Sequence, residues 1–192
     1  MPRASLPVPP FPATIDRTYF AAYLSGLTDG EGSFCLTLRH PGNRCKTPYA
    51  SFQMCLRADD KAILELIRSF LGCGLLSHQY GSGTRRDSYR YFVSNITHLT
   101  SIVIPHFEKN PLLAKKQSDF RIWREGVLYI RHVIAIPKTR RGHKGAFPRW
   151  TPERLAHFQS LAAALDAARE YQAPPIDLPK PPPPPPEPGL FD

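Results

Sequence analysis

The nonapeptide Leu24-Ser25-Gly26-Leu27-Thr28-Asp29-Gly30-Glu31-Gly32 constrains this chain more than any other stretch. It closes a predicted helix with an acidic residue set between two glycines, and a strand pattern follows at once. Glu31 is thereby held at a helix end, close to any surface the helix packs against. That placement suits a metal ligand better than a turn residue.

The helix itself has two kinds of face. Asp16 or Thr18 supplies the N-cap, and Phe20, Leu24 and Leu27 turn to the core, while Ala22, Gly26 and Gly30 form a neighbouring stripe of small residues. Small residues at every fourth position let two backbones approach closely. The chain has one such helix, so a copy from a second molecule is the expected partner and a two-fold homodimer follows, with Ala22, Gly26 and Gly30 at its interface.

Downstream, the pattern runs two strands, helix, two strands, helix, which predicts an α+β layer with helices on one face of an antiparallel sheet. Gly32 to His40 alternates Phe34, Leu36 and Leu38 inward with Ser33, Cys35, Thr37 and Arg39 outward, and Pro41, Gly42 and Asn43 mark its turn. Tyr49 to Arg57 answers it. Ala58 to Leu71 reads as an amphipathic helix capped near Asp59 and stopped by Gly72. A second hairpin pairs Gly74 to Tyr80 with Ser88 to Ser94. Asn95 or Thr97 starts a segment through Pro105, and Asn110 is expected to cap a long helix with Leu112, Leu113, Phe120, Trp123 and Val127 on its buried side. Thr151 and Pro152 open a last helix reaching about Tyr171, with Trp150 placed to pack on Leu155.

These boundaries divide the chain into a proline-rich disordered tail (1–15), a core (16–135), a basic arm (136–150), a C-terminal amphipathic helix (151–172) and a second proline-rich tail (173–192). A length of 192 residues with 42% hydrophobic residues suffices for one ordinary core. The net charge of +9 selects an acidic polymer as partner, because a basic surface gains affinity by releasing counterions from a phosphate backbone. No apolar stretch reaches bilayer length, so a membrane partner is not expected. The widely spaced Cys35, Cys45, Cys55 and Cys73 read as reduced thiols of an intracellular protein.

The polar face of the predicted sheet offers Thr37, Arg39, Gln53, Arg57, Ser77, Gln79, Arg86 and Arg90, and the basic arm adds Arg140 and Arg141 as phosphate contacts. Arginine and glutamine make bidentate contacts to guanine and adenine edges, and a two-stranded ribbon fits the major groove, so a nucleic acid is the expected ligand. Phosphodiester hydrolysis on that ligand would need a hard divalent cation such as Mg2+, for which the Glu31 carboxylate is the candidate oxygen ligand.

Leu24 to Gly32 resembles the signature of the LAGLIDADG homing endonucleases, matching it at Leu24, Gly26, Leu27, Asp29 and Gly32, with Glu31 keeping the acid of the eighth position. The similarity continues in order through Phe52-Gln53, Asp59-Asp60, Leu71-Gly72-Cys73-Gly74, the block Phe107 to Leu112, Lys116 and Asp119-Phe120. The resemblance implies an αββαββα fold whose antiparallel sheet forms a saddle on double-stranded DNA. It implies a homodimeric, Mg2+-dependent enzyme that cuts both strands of a long near-palindromic site, with one Glu31 per strand. It implies that the main-chain carbonyl of Gly30 completes the metal site and that a basic residue stands near the scissile phosphate. That residue maps to Lys115 or Lys116, of which Lys116 holds the Lys-x-x-Asp-Phe spacing, whereas one ungapped count falls on Ala114. Asp29 is assigned to structure. Leu56 falls where several members keep a polar residue that organises water. The competing reading is an inactive nucleic-acid-binding protein, either an intron maturase on intron RNA or a DNA-binding regulator. The expected location is intracellular, cytoplasmic in a prokaryote or organellar.

Overall fold

The computed structural model describes residues 7–39, 47–81, 83, 86–136 and 150–169. Helix α1, Arg17–Glu31, starts where the Asp16 side chain accepts the Tyr19 amide at 2.7 Å. It stops at Gly32, whose N–H closes on the Thr28 carbonyl. A Cβ on Gly32 would lie 2.5 Å from the Thr28 methyl and 2.7 Å from the Thr28 carbonyl oxygen, so glycine alone lets the chain turn there. Strand β1, Gly32–Arg39, therefore begins at the very next residue.

Strand β2, Thr47–Arg57, starts two residues before the predicted Tyr49; the turn at Pro41 to Asn43 and Cys45 lie outside the described residues. A 3-10 turn, Ala58–Asp60, leads into α2, Lys61–Leu71. Asp59 does not cap this helix. Its carboxylate pairs with Arg57 at 2.5 Å, and Asp60 at the cap position makes no side-chain cap bond. Gly72, at φ +69°, ends the helix as predicted, in a conformation open to glycine without strain. Strands β3, Leu75–Gln79, and β4, Ser88–Val93, complete an antiparallel sheet in the order β1-β2-β4-β3.

Asn95 starts the next helical stretch by accepting the amides of Thr97 and His98. It runs as α3, Ile96–His98, a π-helical stretch, Leu99–Val103, and α4, Ile104–Lys109. The wide turn immediately precedes Pro105. Proline there has no amide to donate, and its ring needs the room that a regular turn would deny it. Asn110 belongs to this helix rather than to the next one, because both its amide and its side-chain Nδ2 donate back to the His106 carbonyl. Helix α5 thus begins only at Lys116 and runs to Ala135. Leu112 is buried as predicted, but Leu113 sits in the intervening loop at 92% exposure.

The core lies between the sheet and its helical layer. Phe34 stands at its centre, within 4.9 to 5.6 Å ring-to-ring of Phe52, Phe107, Phe120 and Trp123. Such tilted and edge-on pairs add about 0.5–1.5 kcal/mol each beyond area burial. Phe11 and Ile15, placed by sequence in a solvated tail, pack on the core instead, with Phe11 against the rings of Phe20 and Phe70 at 5.1 and 5.3 Å.

Helix α6, Pro152–Arg169, starts at Thr151, whose hydroxyl accepts the Arg154 amide at 3.4 Å. It buries Phe158, Leu161 and Leu165 against α5 and β1. Because β1 is an outer strand, α6 also covers one edge of the sheet, where the Arg169 guanidinium donates to the Phe34 carbonyl.

Candidate functional site

The last turn of α1 and the loop before α5 meet at one end of the sheet. Two side chains one turn apart on α1 hold that loop. The Ser25 hydroxyl donates to the Asn110 carbonyl at 2.8 Å, and Asp29 Oδ2 accepts the amides of Leu113 and Ala114 at 2.9 and 3.3 Å. Asp29 therefore does structural work, capping backbone donors of the loop that delivers Lys115 and Lys116. Lys116 then reaches back, its Nζ donating to the Gly32 carbonyl at 2.6 Å.

A cleft of about 410 Å³ opens at this junction, lined among others by Asp29, Ser33, Lys115, Lys116, Asp119 and Arg169. The acids are close-held. Asp29 Oδ1 and Asp119 Oδ1 are buried without a hydrogen-bond partner among the described residues. Glu31 stands one residue before Gly32 and is exposed to solvent, as is Gly30. The small stripe is open too: Ala22, Gly26 and Gly30 are exposed, and a Cβ on either glycine would meet nothing within 4 Å.

On the far side of the sheet, register decides which residues share the polar face. Ser33 pairs with Gln53 and Gln53 with Phe92; Thr37 pairs with Tyr49, Arg39 with Thr47, Arg57 with Ser88, and Ser77 with Arg90. Since directly paired residues point the same way and alternation has period two, Thr37, Arg39, Gln53, Arg57, Ser77, Gln79 and Arg90 lie on one face. The face is partly preorganised. Arg39 stacks 3.1 Å over the Tyr49 ring, Arg90 lies 5.3 Å from the Phe92 centroid, and Gln79 Nε2 donates to the Ser77 hydroxyl at 3.1 Å. Arg86 is exposed just before β4, at the end of the same hairpin. Arg140 and Arg141 lie outside the described residues.

Leu56 has the parity of Phe52 and Met54 and packs with the core, so it does not lie on the polar face. Gln53 stands across from Ser33, one rung from the start of β1. Sequence reading missed Ser25, Ser33 and Arg169. Ser25 was legible from its i,i+4 spacing to Asp29. Arg169 continues the stripe of Leu161 and Leu165 at four-residue steps, a charge on an otherwise buried face.

The αβ layer thus carries arginine and glutamine on its polar sheet face and a carboxylate at the open end of a helix with a stripe of small residues. The sequence model of the LAGLIDADG endonuclease family matches residues 24–127, more than half of the chain, and the chain belongs to that family. It is 36% identical over 109 residues to a probable intron-encoded endonuclease 2 of Neurospora crassa, covering 54% of this chain and 23% of that protein. It is 27% identical over 118 residues to the homing endonuclease I-ApeII of Aeropyrum pernix, covering 59% of this chain and 66% of that protein. The chain spans only 20% to 32% of the length of the first three curated relatives it matches. Among solved structures, the I-LtrWI LAGLIDADG homing endonuclease bound to target DNA aligns at a TM-score of 0.61 and 26% identity, over 78% of this chain and 45% of that one. The homing endonuclease I-TnaI aligns at 0.58 and 21% identity, over 77% of this chain and 94% of that one, which speaks for the fold alone.

Among the described residues no helix is long and apolar enough to cross a membrane, and Cys35, Cys55 and Cys73 are free thiols.

Proposed function

We propose that this chain is one protomer of a homodimeric, site-specific DNA endonuclease that hydrolyses both strands of a long near-palindromic duplex with Mg2+. The observation that carries the reading is the junction where Glu31 ends α1, Gly32 opens β1 and Lys116 binds the Gly32 carbonyl. A carboxylate and an ammonium then stand at the same end of a sheet whose polar face carries arginine and glutamine, side chains suited to base edges.

The donors present suit a hard divalent cation. Glu31 offers an exposed carboxylate and Gly30 a main-chain carbonyl at a helix end, while no cluster of three acidic, histidine or cysteine side chains occurs among the described residues. One chain thus supplies part of a coordination sphere, with phosphate and water left to complete it. When bound, Mg2+ would lower the pKa of a water and neutralise charge on the phosphoryl oxygens. Glu31 would hold that ion. Lys116 would place a positive charge beside the phosphate, and the sheet face would fix the duplex in register.

Ala22, Gly26 and Gly30 support the dimer, because their open surface lets a second α1 pack at backbone distance and brings the two Glu31 residues together. The intron-encoded relatives fit an intracellular location, cytoplasmic in a prokaryote or organellar. Selection from a randomised duplex library with Mg2+, beside a Ca2+ arm that reports binding alone, tests the reading. A near-palindromic cut site supports it. Capture without cutting in both arms would instead assign the chain to the binding-only class, on intron RNA or as a regulator.

A further inference from the structure

We propose that Arg169, at the end of α6 and outside the matched family region, is a positioning residue that keeps Lys116 on the Gly32 carbonyl by occupying Asp119. The inference rests on the nuclease reading for its kinetic consequence, and on geometry alone for the contact itself.

Lys116 and Asp119 are three residues apart on α5, a spacing at which opposite charges on a helix meet. They do not pair here. Lys116 Nζ turns to Gly32 at 2.6 Å, and Asp119 Oδ2 faces Arg169 Nε at 3.6 Å. The Asp119 side chain is only 13% exposed, so its charge is poorly screened and needs a cation close by. Arg169 supplies it from the neighbouring helix. Its guanidinium is fixed on a second side by the Phe34 carbonyl of β1 and on a third by Asp166 Oδ1 at 3.6 Å. A planar group with five donors can hold these partners together, which an ammonium cannot.

Without Arg169, Asp119 would draw Lys116 along its own helix and away from the end of α1. Lys115, four residues before Asp119, is the other cation that could respond, so the test must resolve the two. In the full chain labelled with 15N-lysine, the ammonium resonance of Lys116 in Arg169→Ala should shift and exchange faster with water, and that of Lys115 should stay in place. Adding Asp119→Asn removes the competitor and should return the Lys116 signal to its wild-type position. Arg169→Lys should hold Lys116 in part. On a cleavable duplex, single-turnover cutting by Arg169→Ala should fall about tenfold with Ca2+-supported binding unchanged, and recover in the double variant. A purely structural role in docking α6 would lower stability in both variants and give no recovery. An unmoved Lys116 signal in Arg169→Ala, a response confined to Lys115, or a double variant that fails to restore it overturns the proposal. Absence of cutting by the wild-type chain would remove the nuclease reading and leave the resonance arm to decide the contact by itself.

Discussion

Lys116 Nζ and the Gly32 carbonyl are 2.6 Å apart, which ties the first turn of α5 to the residue where α1 becomes β1. Lys116→Met keeps most of the stem's packing and deletes the charge. Single-turnover cleavage should drop about a hundredfold or more, while binding in Ca2+ changes little. An equal loss in both assays would make Lys116 a general binding residue instead.

Glu31→Gln removes the anionic ligand and very little shape. Cutting should disappear and duplex affinity persist, because the substitution touches neither the sheet face nor the small stripe. Wild-type cleavage by this variant would refute the assignment of Glu31.

The Asp29 cap makes a prediction about stability. Asp29→Ala leaves the amides of Leu113 and Ala114 without their acceptor and should cost about 1–3 kcal/mol in urea unfolding. Asp29→Asn keeps an acceptor oxygen and should cost clearly less. If the two variants unfold alike, the carboxylate's charge, and not its acceptor geometry, is what matters.

Gly26 separates folding from association. With nothing within 4 Å of its Cβ position, Gly26→Ala should stabilise an isolated protomer by about 0.5–1 kcal/mol through helix propensity. Gly26→Leu should leave the protomer folded and abolish the dimer in sedimentation. Unchanged sedimentation of Gly26→Leu would place any dimer contact elsewhere.

His106 carries an acid sensitivity. Burial lowers its pKa from 6.5 to about 4, its ring lies edge-on to Phe70 and Phe107, and its Nε2 has no partner among the described residues. The unfolded chain binds this proton more readily, so the stabilisation is fully present above about pH 6.5 and is lost as pH falls towards 4. The loss should reach about 3 kcal/mol at most. His106→Leu should flatten the urea midpoint between those pH values; an unchanged slope would locate the sensitivity in another group.

The sheet and its facing were legible because alternation survives in β1 and β4: Phe34 and Leu36 against Cys35 and Thr37, Tyr91 and Val93 against Arg90 and Phe92. The motif helix was legible from its cap, its stripe and its glycine stop. Asn110 misled because asparagine serves either end of a helix, and only the return of its side chain to His106 decides which. Asp59 misled in the same way, since a neighbouring arginine competed for the carboxylate. Phe11 carried a signal that the surrounding prolines obscured: a large aromatic in a proline-rich segment needs a surface to cover, and Phe20 and Phe70 provide it. Within the candidate site, the closeness of Asp29 to the end of α1 was readable from the motif, whereas the Lys116–Gly32 and Arg169–Asp119 contacts join segments far apart in the chain and depend on packing that no local pattern encodes.

Glu31 and Gly32 are adjacent, the first the end of a helix and the second the start of a strand. No slack separates the two. A duplex that bends or twists β1 as it seats on the sheet would therefore act as a lever on the carboxylate, with the peptide bond as its fulcrum. In an enzyme so built, a poorly matched site would be refused through misalignment of the acid as much as through weak grip, and fidelity would show in the rate of cutting after binding is complete.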